Sequence, residues 1–228
     1  MQLPAVIQDS IDPLVLHWKY GGRSLPLKLL QAARKRLWYR SEKRVYVLPV
    51  EQIHRLPYPR LLRRDRLEDL AYYERTGSSQ LPPDAYREAA RARRAQGDHL
   101  YTLVEGDRLV HYGWLMPHHV REEDKALGQV FFAPSDSAAL FDFYTHPLAR
   151  GRGLFFKAIC QLLHDVPATN ARRAFIYVYA DNGPSRHVIE KVGFRYIGSM
   201  VDEARLRAHR RYAVSAGGEF PTALLEDR

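Results

Sequence analysis

The chain has 228 residues, of which 46% are hydrophobic, and this is enough to form a substantial core. Its formal net charge is +9. Its start lacks the basic residues and apolar run of a secretion signal, and no later stretch reaches the roughly 18 apolar residues of a membrane span. A single cysteine excludes an internal disulfide. We therefore expect a cytoplasmic protein in which Cys160 is a buried, reduced thiol.

The positive charge is concentrated near the N-terminus, because residues 19–66 contain 14 Lys and Arg against 3 Asp and Glu. Within this segment, the apolar spacing predicts a basic, amphipathic helix over 26–39, after a short strand at 14–18. The segment is either a solvated face that covers the core or the docking surface of an acidic partner. We predict a basic N-terminal extension over 1–43 and a main domain over 44–228.

The first half of the main domain is predicted to contain a strand, two helices and a hairpin, over residues 44–49, 67–73, 84–97, and 99–104 with 108–115. We expect Asp84 to cap the second helix and Gly97 to end it. The next segment contains His118-His119 and is predicted to be a polar loop. Adjacent histidines rarely ligate one ion, and no cysteine partner is available, so we expect no metal site.

The second half changes to strand, helix, strand, helix and strand, over residues 139–145, 153–166, 174–179, 184–192 and 194–200. The strand at 174–179 is apolar on both faces, which is typical of a strand covered on both sides. Antiparallel strands followed by a βαβα unit predict one mixed sheet with helices on both faces, in the α/β (α+β) class.

Two motifs in this half carry the candidate chemistry. The first, Arg150-Gly151-Arg152-Gly153-Leu154, leads from a strand directly into a helix. Such a turn exposes unpaired amides at the positive end of the helix dipole, which suits a pyrophosphate, and the two arginines can add charge-assisted hydrogen bonds. The second motif opens a helix with Asn182-Gly183-Pro184-Ser185 and closes it with Glu190-Lys191-Val192-Gly193-Phe194.

Together the two motifs resemble the GNAT superfamily of acyl-CoA-dependent N-acyltransferases, closely over about residues 99–200 and by order of elements over 44–98. The resemblance implies a mostly antiparallel sheet in which the strand before the turn splays from its parallel neighbour after Tyr179. The donor, acetyl-CoA or another acyl-CoA, would lie in the opening and pair with the first strand as an added strand would. The implied donor-binding residues are Phe143, Tyr144, Thr145, Arg150, Gly151, Arg152, Gly153, Leu154, Asn182 and Ser185.

We hypothesise that Asp142 is the general base and that Tyr144 helps to orient either ligand. Strand alternation turns these two side chains away from Phe143 and Thr145, toward the expected substrate cleft. A carboxylate there could remove a proton from the incoming ammonium group. The alternative is a carboxylate that is solvated or paired with an arginine.

Two positions depart from the family pattern. Phe155 replaces the Gly or Ala usual at the sixth position of the turn motif, and it can reshape the wall beside the cofactor. Ile189 replaces the Tyr that many members place seven residues after the Asn as a proton donor to the leaving thiolate. Another group or water must therefore serve that step, or no donor is needed.

Three functions stay open at this point. The favoured one is an N-acyltransferase that moves an acetyl or longer acyl group from CoA to an amine of a small molecule, amino sugar or peptide. A variant would take its acyl group from acyl carrier protein docked on residues 19–66. A third is a non-catalytic module that uses this basic segment on nucleic acid or an anionic membrane, although we expect no nucleic acid partner.

The acceptor is not identified by any motif. Its determinants are expected in the variable residues 50–98 and 195–215. Five aromatic residues are candidates for lining its pocket, although core packing is the commoner role: Tyr72, Tyr73, Tyr86, Trp114 and Tyr179.

Overall fold

A computed structural model describes residues 38–77, 80–119, 121–124, 126–205, 208–217, 220 and 222–224. The strand predicted at 14–18 and most of the basic helix predicted at 26–39 lie outside these residues. The last two residues of that predicted helix, Trp38 and Tyr39, instead open a strand. The domain boundary at residue 43 stays a prediction.

The chain divides into two compact units, Met1–Arg40 with Glu203–Arg210 and Ser41–Asp202 with Arg211–Arg228. Of the first unit, the structure describes only parts of strands, at 38–40, 203–205 and 208–210. Every cavity and side-chain contact discussed below belongs to the second unit.

Eleven strands are present in the described part of the chain. They are β1 (Trp38–Pro49), β2 (Arg63–Arg64), β3 (His99–Glu105), β4 (Arg108–Met116), β5 (Arg121–Asp124), β6 (Gln129–Phe132), β7 (Ser137–Thr145), β8 (Arg173–Tyr179), β9 (Arg195–Arg205), β10 (Ala208–Ser215) and β11 (Thr222–Leu224). Eight form a sheet in the order β10-β9-β1-β8-β7-β4-β3-β2, and three form a small sheet in the order β11-β6-β5. Neighbours β7 and β8 run parallel, whereas β1–β8, β2–β3, β3–β4 and β4–β7 are antiparallel.

The described α-helices are α1 (Pro83–Ala95), α2 (Leu154–Asp165) and α3 (Gly183–Val192), and short 3-10 turns include Val50–Arg55, Leu67–Tyr72 and Pro147–Ala149. Helices α2 and α3 share one apolar cluster with one face of the large sheet, and α1 shares another with the opposite face. Alternation along β1 shows the same division, since Tyr46 belongs to the α2 cluster and Val47 to a cluster with Phe131 of the small sheet. The predicted mixed sheet with helices on both faces is thus confirmed.

The prediction that Asp84 caps α1 is wrong by two residues. Pro82 is the N-cap and Pro83 opens the helix, where the missing N–H of proline removes no hydrogen bond. Asp84 lies in the first turn and pairs with Arg87 at 2.5 Å. Gly97, with φ +95°, follows the helix and ends it as predicted. The helix predicted at 67–73 is a 3-10 turn of six residues.

The prediction of a polar loop around His118-His119 is also wrong. Strands β5 and β6 lie in this segment and form the small sheet. Strand β5 is entirely charged, so its propensity alone does not predict a strand; its pairing and neighbours decide. Lys43 on β1 offsets that charge with contacts of 2.6 Å to Glu122 and 3.4 Å to Asp124. His119 is fully buried and contacts the hydroxyl of Tyr177 through Nε2.

Candidate functional site

The parallel strands β7 and β8 separate partway along their length. Their pairing runs from Ser137 opposite Arg173 to Leu140 opposite Ile176 and then stops. The expected separation therefore exists, but it begins before Tyr179. Beyond Leu140, the edge of β7 that faces β8 has no partner in this register, which leaves room for an extended ligand.

A β-bulge in β7 explains the early separation. Trp114 of β4 is opposite Phe141 and Tyr112 is opposite Tyr144, so that both Asp142 and Phe143 face Gly113. Asp142 has φ +48°, in the left-handed region that non-glycine residues seldom adopt. An extra residue bends a strand and re-aims its side chains, and here it turns β7 away from β8.

The bulge also decides where Asp142 points. Leu140 belongs to the α2 cluster, so unbroken alternation from Leu140 would turn Asp142 toward α2 as well. Instead the Asp142 carboxylate contacts Tyr86 and Arg93 of α1. Phe143 still faces α2. Asp142 and Tyr144 therefore lie on the opposite face of the sheet from Phe143, as predicted. This arrangement depends on a bulge that the sequence did not reveal.

Gly113 makes room for the bulge. A Cβ atom added there would lie 2.4 Å from Cδ1 and Cε1 of the Phe143 ring. The ring continues to Phe155 of α2, with centroids 5.1 Å apart and an edge-to-face angle of 70°. Phe155, the departure from the family pattern, is thus a packing partner of Phe143.

A cavity of about 590 Å³, here called the glycine-turn cavity, lies between the open edge of β7 and the starts of α2 and α3. Nine of the ten residues predicted to bind the donor line it: Phe143, Tyr144, Thr145, Arg150, Gly151, Gly153, Leu154, Asn182 and Ser185. The tenth, Arg152, does not. It makes a bidentate ion pair with Glu105 at 2.6 and 2.7 Å, and this pair lowers the pKa of Glu105.

The glycines of the turn are required by the backbone. Gly151 and Gly153 have φ of +78° and +69°, whereas a Cβ at either would meet no atom within 4 Å. Glycine is therefore required at both positions by the left-handed backbone conformation and not by a lack of space for a side chain. Gly153 caps α2 without a side-chain bond, and therefore the first amides of α2 remain available to a ligand in the cavity.

The second motif opens α3 at the other side of the cavity. The Asn182 side-chain oxygen accepts a hydrogen bond of 3.2 Å from the Ser185 amide and so caps the helix. The carboxamide NH₂ group of Asn182 can still donate to a ligand. Ile189 is only 1% exposed, which makes it a core residue with no access to the cavity.

A second cavity, of about 760 Å³, lies on the α1 face and is here called the tyrosine cavity. Its lining includes Tyr73, Tyr86, Tyr112, Tyr144 and Tyr179 together with Arg93 and Asp142. Burial raises the pKa of Tyr73, Tyr86 and Tyr112, so these hydroxyls stay protonated at neutral pH. The two cavities share Phe143, Tyr144 and Arg150, and they meet at the bulge of β7.

Asp142 is paired with an arginine in the tyrosine cavity. Its Oδ2 accepts a hydrogen bond from Nη1 of Arg93 and a second, at 3.4 Å, from the hydroxyl of Tyr86. Arg93 is held in turn over the rings of Trp114 and Phe141, 5.2 Å from each centroid. Asp142 is thus paired with an arginine, as the alternative described, and its role as a general base stays a hypothesis.

Some residues of this cavity escaped the sequence analysis. Of the five aromatic candidates, Tyr73, Tyr86 and Tyr179 line it, while Tyr72 is 42% exposed elsewhere and Trp114 is buried in the core. Arg93 and Tyr112 were missed, since no local pattern distinguishes an arginine on a basic helix or a tyrosine in a hairpin. Only the tertiary contact with Asp142 identifies Arg93.

No group of three or more potential metal ligands occurs among the residues that the structure describes. Within the same residues, no helix is both long and apolar enough to cross a membrane.

Solved structures with a similar fold include a GNAT-family acetyltransferase from Colwellia psychrerythraea, with a TM-score of 0.51, 13% identity, and coverage of 84% of this chain and 61% of that one. A GCN5-related N-acetyltransferase from Sphaerobacter thermophilus has a TM-score of 0.49 and 11% identity, over 80% of this chain and 57% of that one. A protein from Salmonella typhimurium, solved with its cofactor acetyl-CoA, has a TM-score of 0.46 and 15% identity, over 73% and 94% of the two chains. The chain thus spans less than two thirds of the first two. At 13% identity, the Colwellia structure establishes the fold alone.

The family is established by the sequence. The acetyltransferase (GNAT) domain model matches residues 60–195, which is more than half of the chain. A search of curated proteins found no match to this chain. The chain therefore belongs to the GNAT acetyltransferase family, and its fold is the mixed, mostly antiparallel GNAT sheet with one splayed parallel pair.

Proposed function

We propose that the protein is an N-acyltransferase that moves an acetyl or longer acyl group from coenzyme A to the amine of a small molecule or peptide. The observation that carries the proposal is the meeting of two cavities at the β7 bulge. One cavity has a helix start and a splayed strand edge, and the other has a carboxylate among tyrosines. Family membership supports acyl-CoA as the donor.

The donor would lie in the glycine-turn cavity. The free amides of the first turn of α2 and the guanidinium of Arg150 suit a pyrophosphate. The pantetheine arm would run along the open edge of β7 at Phe143 to Thr145, with the Asn182 carboxamide as a further donor. Arg152 contributes less directly, since its ion pair with Glu105 fastens the turn to the β3–β4 hairpin.

The acceptor would enter from the tyrosine cavity. Held beside the thioester, its amine attacks the carbonyl carbon, the C–S bond breaks, and CoA leaves as a thiolate that then takes up a proton. Asp142 is the proposed acceptor of the ammonium proton. Tyr144, which lines both cavities, would orient the two substrates; its hydroxyl lies 2.5 Å from Oγ1 of Thr76. With Ile189 in the core, water or a cavity hydroxyl would protonate the thiolate.

The two other functions receive no support from the described residues. Docking of acyl carrier protein would involve residues 19–66, of which only 38–66 are described. A non-catalytic module would have no evident need for a paired carboxylate at the junction of two cavities. Localisation in the cytoplasm stays part of the proposal.

The experiment that tests the donor site is a thermal shift titration with acetyl-CoA and CoA. A ligand that binds only the folded state stabilises it by about 2.7 kcal/mol at 100 times its Kd. We expect Gly151→Val to abolish this shift, because valine resists φ of +78° and the turn must rearrange. Gly97→Val is the matched control, since Gly97 also has positive φ and open space but lies outside the glycine-turn cavity. An unchanged shift in Gly151→Val would remove the turn from the donor site.

A screen of amines with acetyl-CoA and longer acyl-CoA donors, followed by detection of free thiol, tests the reaction itself. We expect amine-dependent thiol release. Donor binding without release by any amine would contradict the enzyme and favour a binding module.

A further inference from the structure

The Arg93–Asp142 pair leaves hydrogen-bonding groups open on both of its members. Both contacts of the Asp142 carboxylate involve Oδ2, so Oδ1 has no partner among the described residues. Arg93 uses only Nη1 for this pair, and the other N–H groups of its guanidinium have no hydrogen-bond acceptor among the described residues. The two side chains are 29% and 30% exposed, and both line the tyrosine cavity. An anionic acceptor and a cationic donor thus lie side by side on one wall.

The remaining N–H groups of the Arg93 guanidinium favour a ligand that carries an anion. Hydrogen bonds from a guanidinium to a negatively charged acceptor are shorter and stronger than those to a neutral one, and a carboxylate can accept two of them side by side. An acceptor that fills this position therefore brings its own anion.

The charged lining of the tyrosine cavity favours the same kind of ligand. It consists of Arg93, Arg150 and Asp142, two cations and one anion. With Arg150 at the junction and assigned to the donor, the remaining pair is neutral overall and matches a ligand that carries one charge of each sign. A simple amine cation would satisfy Asp142 but leave the open side of Arg93 unmatched.

We propose that the acceptor is a zwitterion of the amino-acid class, whose ammonium group binds Oδ1 of Asp142 and whose carboxylate binds Arg93. The tyrosine rings would receive the rest of the molecule. This inference rests on the proposed function and names the substrate class of the same site. In the reaction, the ammonium proton passes to Asp142, the amine attacks the thioester, and the products are an N-acylated acid and CoA.

The test is calorimetric titration of the 20 standard L-amino acids and their amides, with and without saturating CoA. Each amide keeps the amine and the side chain but lacks the negative charge. Because a hydrogen bond to a charged group contributes on the order of 1.5–3 kcal/mol, we expect at least one acid to bind roughly 10-fold or more tightly than its amide. Arg93→Gln should remove that preference, and Arg93→Lys should keep part of it.

A fold control is needed, because Arg93→Gln leaves Asp142 without its partner. The double variant Arg93→Gln with Asp142→Asn removes both charges, and it should be folded and show no preference for acids. The inference is overturned if no acid binds more tightly than its amide, or if the preference persists without Arg93.

Thiol release from acetyl-CoA distinguishes this inference from the function on which it rests. Amides that are acylated as well as the acids would leave the N-acyltransferase intact and overturn the zwitterion. Acids that bind preferentially but release no thiol, when no other amine does either, would overturn both the transfer reaction and the acceptor role. Preferential binding with preferential acylation of the same acids supports both.

Discussion

The two cavities are built in different ways. Most residues that line the glycine-turn cavity come from one stretch of the chain, residues 143–156, and the rest come from Asn182 and α3. Much of the chemistry of this cavity comes from backbone amides. The tyrosine cavity collects side chains from α1, β4, β7, the end of β8 and the segment before α1. A site made of backbone can be recognised from a local motif, whereas a site made of distant side chains depends on register and packing. The two should also respond differently to mutation.

The largest expected effect separates chemistry from donor binding. Asp142→Asn keeps the shape of the side chain but removes its basicity, so the rate at neutral pH should fall by roughly 10²–10⁴. The thermal shift with acetyl-CoA should survive, because Asp142 does not line the glycine-turn cavity. Raising the pH toward the pKa of the acceptor amine should recover part of the rate by supplying neutral amine.

Asp84→Asn is the control for that variant. Asp84 is also paired with an arginine of α1, but its side chain is 96% exposed, and we expect no change in rate. Turnover of Asp142→Asn within about threefold of the unmodified protein, with chemistry rate-limiting, would exclude Asp142 as the base. The proposal that the glycine-turn cavity binds the donor while the tyrosine cavity supplies the base would then lose its second half.

The same contrast explains what the sequence could predict. The β3–β4 hairpin, the succession β7, α2, β8, α3 and β9, and nine residues of the glycine-turn cavity followed from glycine punctuation, apolar periodicity and a motif resemblance. These signals are local, as at Gly151 or Asn182, where a turn or cap specifies its own backbone.

Long-range features were not predictable for an equally physical reason. The bulge at Asp142 exists because Gly113, on another strand, lets the Phe143 ring cross it. The all-charged β5 forms a strand by pairing with β6, and Lys43 of β1 contacts two of its carboxylates. Neither local propensity nor spacing carries such information, and the pairing of Arg93 with Asp142 belongs to the same class.

The pH dependence of stability should also differ between groups near the glycine-turn cavity and groups near the tyrosine cavity. His111 pairs with Thr145 of the glycine-turn cavity, with Nδ1 2.8 Å from Oγ1, and burial lowers the pKa of His111 from 6.5 to about 4. Between pH 6.5 and 4 the unfolded chain binds a proton that the folded chain does not. Stability is therefore lost as pH falls through this window, by about 3 kcal/mol from this residue. Denaturant unfolding at several pH values measures the slope.

His111→Leu should flatten that slope, while leaving the part due to His119, whose pKa burial and Lys43 also lower to about 4. In the tyrosine cavity, the pKa values of Tyr86 and Tyr112 are raised above 10. Above pH 10 the unfolded chain therefore loses protons that the folded chain keeps, and stability should fall as the pH rises. An acid slope that is unaffected by His111→Leu would contradict the assignment.

Gly113→Ala should affect both cavities at once, since Phe143 lines each of them. The new methyl group would lie 2.4 Å from the ring and must displace it, at a cost of about 1–3 kcal/mol in the free energy of unfolding. Donor affinity and turnover should fall together. In the double variant with Phe143→Leu, relief of the overlap should restore part of the stability, which a double-mutant cycle measures. Additive effects would mean that Gly113 and Phe143 do not interact.

The smallest effect is expected from the basic segment, residues 19–66. Several of its cations are already neutralised within the chain, since Lys43 pairs with Glu122, Arg63 with Asp69 at 2.6 Å, and Arg64 with Asp165 at 3.4 Å. Paired cations offer less attraction to an acidic macromolecule.

We therefore expect turnover at saturating acyl-CoA to change little between about 50 and 200 mM salt, because binding of a small acyl-CoA releases few counterions. Titration of acyl carrier protein at low salt is the matching measurement. Saturable binding that weakens steeply over the same range would show that residues 19–66 meet an acidic partner, and the proposed donor site would then extend beyond the glycine-turn cavity. Absence of binding would favour the alternative, in which this segment is a solvated face.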